Sequence, residues 1–290
     1  MTNSNEASVS PKSKTVDKQS SQFSSTGDDV IVLRSSDGTL FNIHRSNLRC
    51  TTDGPFAEDF PSTPTEVVQL TEDAKTLETL FAFVYPGAYP SLKKLPIEEL
   101  LKFAEAAEKY RVAPAVAMCA FVIEIRALFK ADPLLIMAYA YRHGHEDLLD
   151  QAVTYSLDVP TTNACEALPL PLFAAWVIYR DARLDAFRTG CDDFRLGVMH
   201  KYESTYKDCQ AWPRVVLGLE RRVSMRGMNI FMDADALFQD VAERVGCDTT
   251  HYIDGSATGC VPKLALWKAQ FQEMLSGLPS LSSILSGLNQ

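Results

Sequence analysis

DDVIVLRSSDGTLFNIHRSNL, residues 28–48, is the stretch that decides the fold. Two apolar, β-branched runs, Val30–Leu33 and Leu40–Ile43, flank an Asp37-Gly38 pair. Asp-Gly between such runs predicts a hairpin, because glycine takes the positive φ that a tight turn needs. His44-Arg45 follows the second run, and Ser46 stands where it can cap a short helix starting near Asn47.

Working outward, Glu66–Leu70 reads as a third strand. Leu77, Leu80, Phe81 and Val84 then fall on one face of a helix. That helix is expected to stop at Tyr85-Pro86-Gly87, where proline cannot extend the hydrogen-bond ladder. Leu95-Pro96 opens another helix, with Ile97, Leu100, Leu101, Ala104 and Ala107 as its stripe, and it runs into Ala107-Glu108-Lys109-Tyr110-Arg111-Val112. Ala115–Leu128, which includes Cys119, completes the run.

This ordered series resembles the BTB/POZ domain over residues 28–126, the His-Arg after the second strand and the Ala-x-Lys-Tyr-x-Val phrase being its clearest words. The resemblance implies an α+β fold, a three-stranded sheet with a helical cluster, that assembles with other proteins and carries no catalysis. It also implies a charged pocket at a dimer interface, with Asp29, His44 and Arg45 in the matching positions. The plainer readings are a structural Asp29–Arg45 ion pair and a core histidine at His44. Dimers of this family that swap strands carry an extra helix before the first strand, and here a Ser-rich tail holds that place. Cullin-binding relatives carry a hydrophobic-x-Glu motif. Phe56-Ala57-Glu58 has that wording, and Pro64-Thr65-Glu66 lies nearer the expected loop, so Phe56, Glu58 and Glu66 are the cullin-contact candidates.

Residues 1–27 are rich in Ser, Thr, Asn and Lys with Phe23 as the sole aromatic, and are expected to be a disordered tail. After residue 126, Asp132-Pro133 starts a helix carrying Leu134, Met137, Ala138 and Tyr141, which stops at His143-Gly144. Leu148, Leu149, Ala152, Val153 and Leu157 mark a second helix. This pair resembles the start of the BACK extension that follows many BTB domains, and implies an all-α continuation. Leu172–Arg183, Val215–Val223, Ala234–Val245 and Leu264–Leu275 read as further helices, giving a BACK-like region over 127–210 and a C-terminal helical region over 211–290. No repeat at 20–50 residues suggests a propeller or an ankyrin array.

The 290 residues have room for about two domains. A net charge of −9 argues against a general phosphate-binding surface, hence against nucleic acid. The first 27 residues lack an apolar signal core, and Ala167–Tyr179 is too short and too broken by proline to span a bilayer. Seven cysteines without framework spacing fit reduced thiols, so the expected location is intracellular, in cytoplasm or nucleus.

Site chemistry is hinted at only in the C-terminal half. Cys191, His200 and Cys209 are followed by Cys247, His251 and Cys260, and Cys247-x3-His251 could put a thiolate and an imidazole on one zinc ion. Scattered core thiols and surface histidines are the competing reading. The chain has no glycine-rich phosphate loop, nucleophile elbow or zinc-protease helix. The expectation is therefore a non-enzymatic protein-interaction module without a cofactor, self-associating as a homodimer or serving as an adaptor scaffold. A cullin-type ubiquitin ligase receptor and a zinc-stabilised ligand- or peptide-binding C-terminal module are the alternatives.

Overall fold

The computed structural model describes residues 18–57, 66–195, 199–202, 205–241, 250–253 and 256–288. The chain divides into two units at Arg126/Ala127.

In the first unit the Asp37-Gly38 turn reverses strand β2 (Val30–Arg34) into strand β3 (Thr39–His44). Gly38 has φ +87°, and the two strands run antiparallel with Val30 opposite His44 and Arg34 opposite Leu40. Ile31 and Leu33 on one strand, and Phe41 and Ile43 on the other, turn the same way and are buried. This is the alternation that a half-covered sheet requires. Strand β4 (Val67–Gln69) pairs parallel with β2, aligning Val67 with Val32.

The sheet has four strands rather than the expected three, in the order β1-β3-β2-β4. The added strand, β1 (Lys18–Ser24), lies parallel to β3 in a part of the chain expected to be a solvated tail. Phe23 explains the difference. Its ring is buried 6.2 Å from Phe41, 5.9 Å from Phe81 and 5.6 Å from Tyr85. Strand β1 also supplies partners to the edge of β3, where the Gln19 side-chain amide donates to the carbonyls of Phe23 and Leu40 across a break in register. Residues 1–17 lie outside the described residues.

Helix α1 (Arg45–Thr51) follows the hairpin, and α2 (Ala74–Ala82), α3 (Ile97–Lys109) and α4 (Ala113–Ile125) complete the unit. Asp73 caps α2 by accepting from the Thr76 amide at 2.8 Å. Leu77, Leu80 and Phe81 are buried as the periodicity requires, and Val84 is buried just beyond the helix end. On α3 the buried positions include Leu100, Leu101, Ala104 and Ala107.

The second unit opens with α5 (Leu128–Ala131), α6 (Pro133–His143), α7 (Glu146–Val153), α8 (Thr161–Ala167) and the long α9 (Leu170–Arg195). Asp132 caps α6 through the Leu135 amide, Pro133 is its first residue, and Gly144 closes it with φ +72°. Later come α10 (Trp212–Arg226), a 3-10 turn over Met228–Met232, α11 (Ala234–Phe238), α12 (Cys260–Ser276) and α13 (Leu281–Leu288). The helix expected over Ala234–Val245 ends at Phe238, followed by Asp240 at φ +54°; residues 242–249 lie outside the described ones.

This unit is not all-α. Strands β5 (Met199–Tyr202) and β6 (Thr205–Asp208) form one antiparallel ribbon, and β7 (Thr250–Ile253) and β8 (Ser256–Gly259) form another. Both have a two-residue connection, and the second one reads Asp254-Gly255, the same dipeptide that marks the first hairpin of the chain. The core of the second unit joins Phe187, Phe194, Phe231 and Phe271 to Trp212 and Trp267. All three tryptophans of the chain, these two and Trp176, are buried here. Among the described residues no helix is long and apolar enough to cross a membrane.

Candidate functional site

The end of the first hairpin brings the three charged-pocket candidates together in part. Asp29 immediately precedes β2 and is exposed; its Oδ2 accepts from the Ser46 amide at 3.2 Å and from the Ser46 hydroxyl at 2.6 Å. The Arg45 amide donates to the Asp29 carbonyl at 2.8 Å. The first turn of α1 is thus capped from a neighbouring segment by Asp29. Ser46, expected to be the cap, donates to it instead. These bonds from Ser46 hold the Asp29 carboxyl below its usual range, with help from the charges of His44 and Arg49. His44 faces the other way: its Nδ1 lies 2.9 Å from the Tyr85 hydroxyl and its amide donates to the same oxygen at 3.1 Å. His44 is therefore a clamp between the second strand and the Tyr85-Pro86-Gly87 turn.

The cullin-contact candidates separate. Phe56 is buried and stacks on Tyr110, ring centroids 4.2 Å apart and planes 4° from parallel. It is a core residue and offers no apolar anchor to another protein, contrary to the expectation drawn from its wording. Glu58 lies outside the described residues, and Glu66 is exposed just before β4. Tyr110 in turn donates its hydroxyl to Glu72, which also receives Lys109 Nζ at 2.8 Å. Burial and the Glu72 charge push the Tyr110 phenol up. Burial acts to raise Glu72, but the bonds from Lys109 and Tyr110 outweigh it and its carboxyl ends lower than usual.

The surface that the sequence pattern did not single out lies on α4. Ala115, Cys119, Val122 and Ile123 fill its inner face, while Ala113, Ala117, Phe121 and Ile125 line an outer face open to solvent. Phe121 and Ile125 are each 49% exposed. The signal was present in the composition: apart from Glu124, Ala113–Ile125 has no charged residue, so the helix has apolar side chains on both faces. A helix of that kind leaves one face to be covered. Cys119 is the small buried hydrophobe expected, its thiol pushed up to about 12 by burial and the nearby Glu108.

Of the six zinc candidates the structure brings together thiols. Cys191, Cys209 and Cys260 belong to one buried core, and Cys209 Sγ lies 3.3 Å from Cys260 Sγ. Cys247 lies outside the described residues; His200 and His251 sit on β5 and β7, and their side chains lie outside them too. Among the described residues no group of three or more His, Cys, Asp or Glu side chains could hold a metal ion. Three residues after Cys260 on α12, Lys263 places its Nζ 5.3 Å from the centre of the Trp212 ring and 5.9 Å from that of Phe194. Burial lowers the Lys263 ammonium below its ordinary range, opposed by the charge of Cys260. No protein-family model matches the chain, and no curated protein matches it.

Proposed function

We propose that the chain is a non-catalytic protein-interaction module of the BTB/POZ kind, whose first unit self-associates and whose second unit, a BACK-like extension, serves another protein partner. The observation that carries this reading is the apolar outer face of α4, with Phe121 and Ile125 half in water. Large side chains clustered on one exposed face lose their hydration cost when a partner covers them. The order of elements supports the BTB assignment: a hairpin, His44-Arg45, a short helix, a third strand parallel to the first of the hairpin, then helices. Cys50, Cys119 and Cys165 carry free thiols, which suits a protein working inside a cell.

Light scattering on the full chain across a concentration series tests the reading. Self-association that Phe121→Asp weakens, and that Asp29→Ala weakens if the charged corner joins the interface, is the expected result. A monomer at every concentration would remove the homodimer and leave a heterotypic adaptor.

A further inference from the structure

Cys209 and Cys260 stand 51 positions apart in sequence, yet their sulfurs are 3.3 Å apart. The two ribbons bring this about. Strand β6 ends at Asp208 and strand β8 at Gly259, so each returning strand hands the chain on to one of the thiols. Gly259, at φ +119°, sets the angle at which the chain enters α12, and Cys260 is the first residue of that helix. Cys209 is 7% exposed and Cys260 1% exposed.

The separation decides between two chemistries. Two thiolates on one tetrahedral zinc, at about 2.3 Å from the metal, stand about 3.8 Å apart. A disulfide needs about 2.05 Å, roughly 1 Å closer than these sulfurs stand. At 3.3 Å these sulfurs are already in contact, nearer to each other than the zinc spacing. The surroundings also differentiate the pair. Cys260 opens a helix, whose amide end favours a thiolate, and Lys263 stands one turn further along the same helix.

We propose that Cys209 and Cys260 are a reversible redox pair, oxidised to an intramolecular disulfide by hydroperoxides. The Cys260 thiolate attacks the peroxide; the O–O bond breaks, Cys260 becomes a sulfenic acid, and the leaving oxygen takes up a proton as water or alcohol. Cys209 then gives up its proton and attacks the Cys260 sulfur; the S–S bond forms, the S–O bond breaks, and water leaves. Two thiols are oxidised, one peroxide is reduced, and two small-molecule thiols restore the pair by exchange. The bond would tie the start of α12 to the segment before α10. Burial confines the reaction to small oxidants.

The test uses the full chain, reduced, freed of reductant and titrated with hydrogen peroxide, then alkylated and mapped as peptides without reduction. The expected product is a Cys209–Cys260 cross-linked peptide that added dithiol reverses. Lys263→Gln should slow its formation by roughly threefold. In Cys209→Ser a sulfenic acid should become trappable at Cys260. Oxidation of the exposed Cys50 and Cys165 with Cys209 and Cys260 still alkylated as free thiols would overturn the proposal. So would one equivalent of zinc in the purified protein whose removal is needed before either thiol reacts, since the pair would then be a metal site.

Discussion

The carboxylate of Asp158 occupies the space that a side chain on Gly227 would need. Gly227 ends α10 with φ +86°, and Asp158 accepts from the amides of Met228 and Asn229 just beyond it, the second at 3.1 Å. Asn229 answers by accepting from the Leu157 amide at 3.0 Å and donating to the Tyr155 carbonyl at 3.2 Å. Gly227→Ala therefore strains the backbone and displaces a carboxylate that holds two amides. A loss of about 1–3 kcal/mol is expected. Chemical denaturation should show it in the second unit, with the first unit unchanged.

Phe56→Ala should destabilise the first unit by about 3–5 kcal/mol, because it removes a buried ring and leaves Tyr110 facing a cavity. Phe56→Leu should recover part of the loss. If Phe56 were an exposed partner anchor instead, both variants would melt like the parent and lose only binding.

Acid should weaken the cap of α2. The Lys102 ammonium bonded to Asp73, with burial opposing it and the Thr76 amide adding to it, holds the carboxyl at about 2 against an ordinary 3.8. A depressed folded value means that the unfolded chain binds the proton more readily. The stabilisation is thus complete above about pH 4, declines as pH falls through 3.8, and is gone below about 2. Asp73→Asn keeps an oxygen for the Thr76 amide and should flatten this part of the stability–pH curve. Asp73→Ala should also cost about 1 kcal/mol at neutral pH.

Arg183 is buried in the second unit, its guanidinium 3.2 Å from the centre of the Tyr179 ring and bonded to the carbonyls of Tyr179 and Pro279. Its Nε has no hydrogen-bond partner among the described residues, and burial lowers its pKa. Pro279 leads directly into α13, so Arg183 fastens the last helix to α9. Arg183→Ala should cost about 1–3 kcal/mol and speed amide exchange in Leu281–Leu288. Arg183→Met, which keeps the contact with Tyr179 and removes the buried charge, should cost less.

What the sequence discloses follows from the range of the force involved. The first hairpin, α2 and α3 rest on signals within a dozen residues, an Asp-Gly turn and apolar stripes, and they stand where those signals put them, except that α2 ends at Ala82, short of the Tyr85-Pro86-Gly87 turn expected to stop it. Strand β1 escapes such a reading, since Lys18–Ser24 carries one aromatic ring and its partner strand lies across the hairpin. The ribbon of β7 and β8 did carry a local signal in Asp254-Gly255, overridden by the expectation of a helical extension. Asp29 shows the limit for single residues: its place before β2 was legible, but its service as a cap for α1 depends on where the hairpin returns the chain. The approach of Cys209 to Cys260 is further still from local pattern, because no spacing in the sequence measures a distance across a fold.

The tryptophans confer an optical asymmetry on the chain. Trp176, Trp212 and Trp267 all belong to the second unit and the first has none. Indole emission excited selectively therefore reports the opening of the second unit alone. Melting of the first unit must be followed through backbone circular dichroism or tyrosine. A chain whose ellipticity falls while its indole spectrum stays blue has lost its first unit and kept its second.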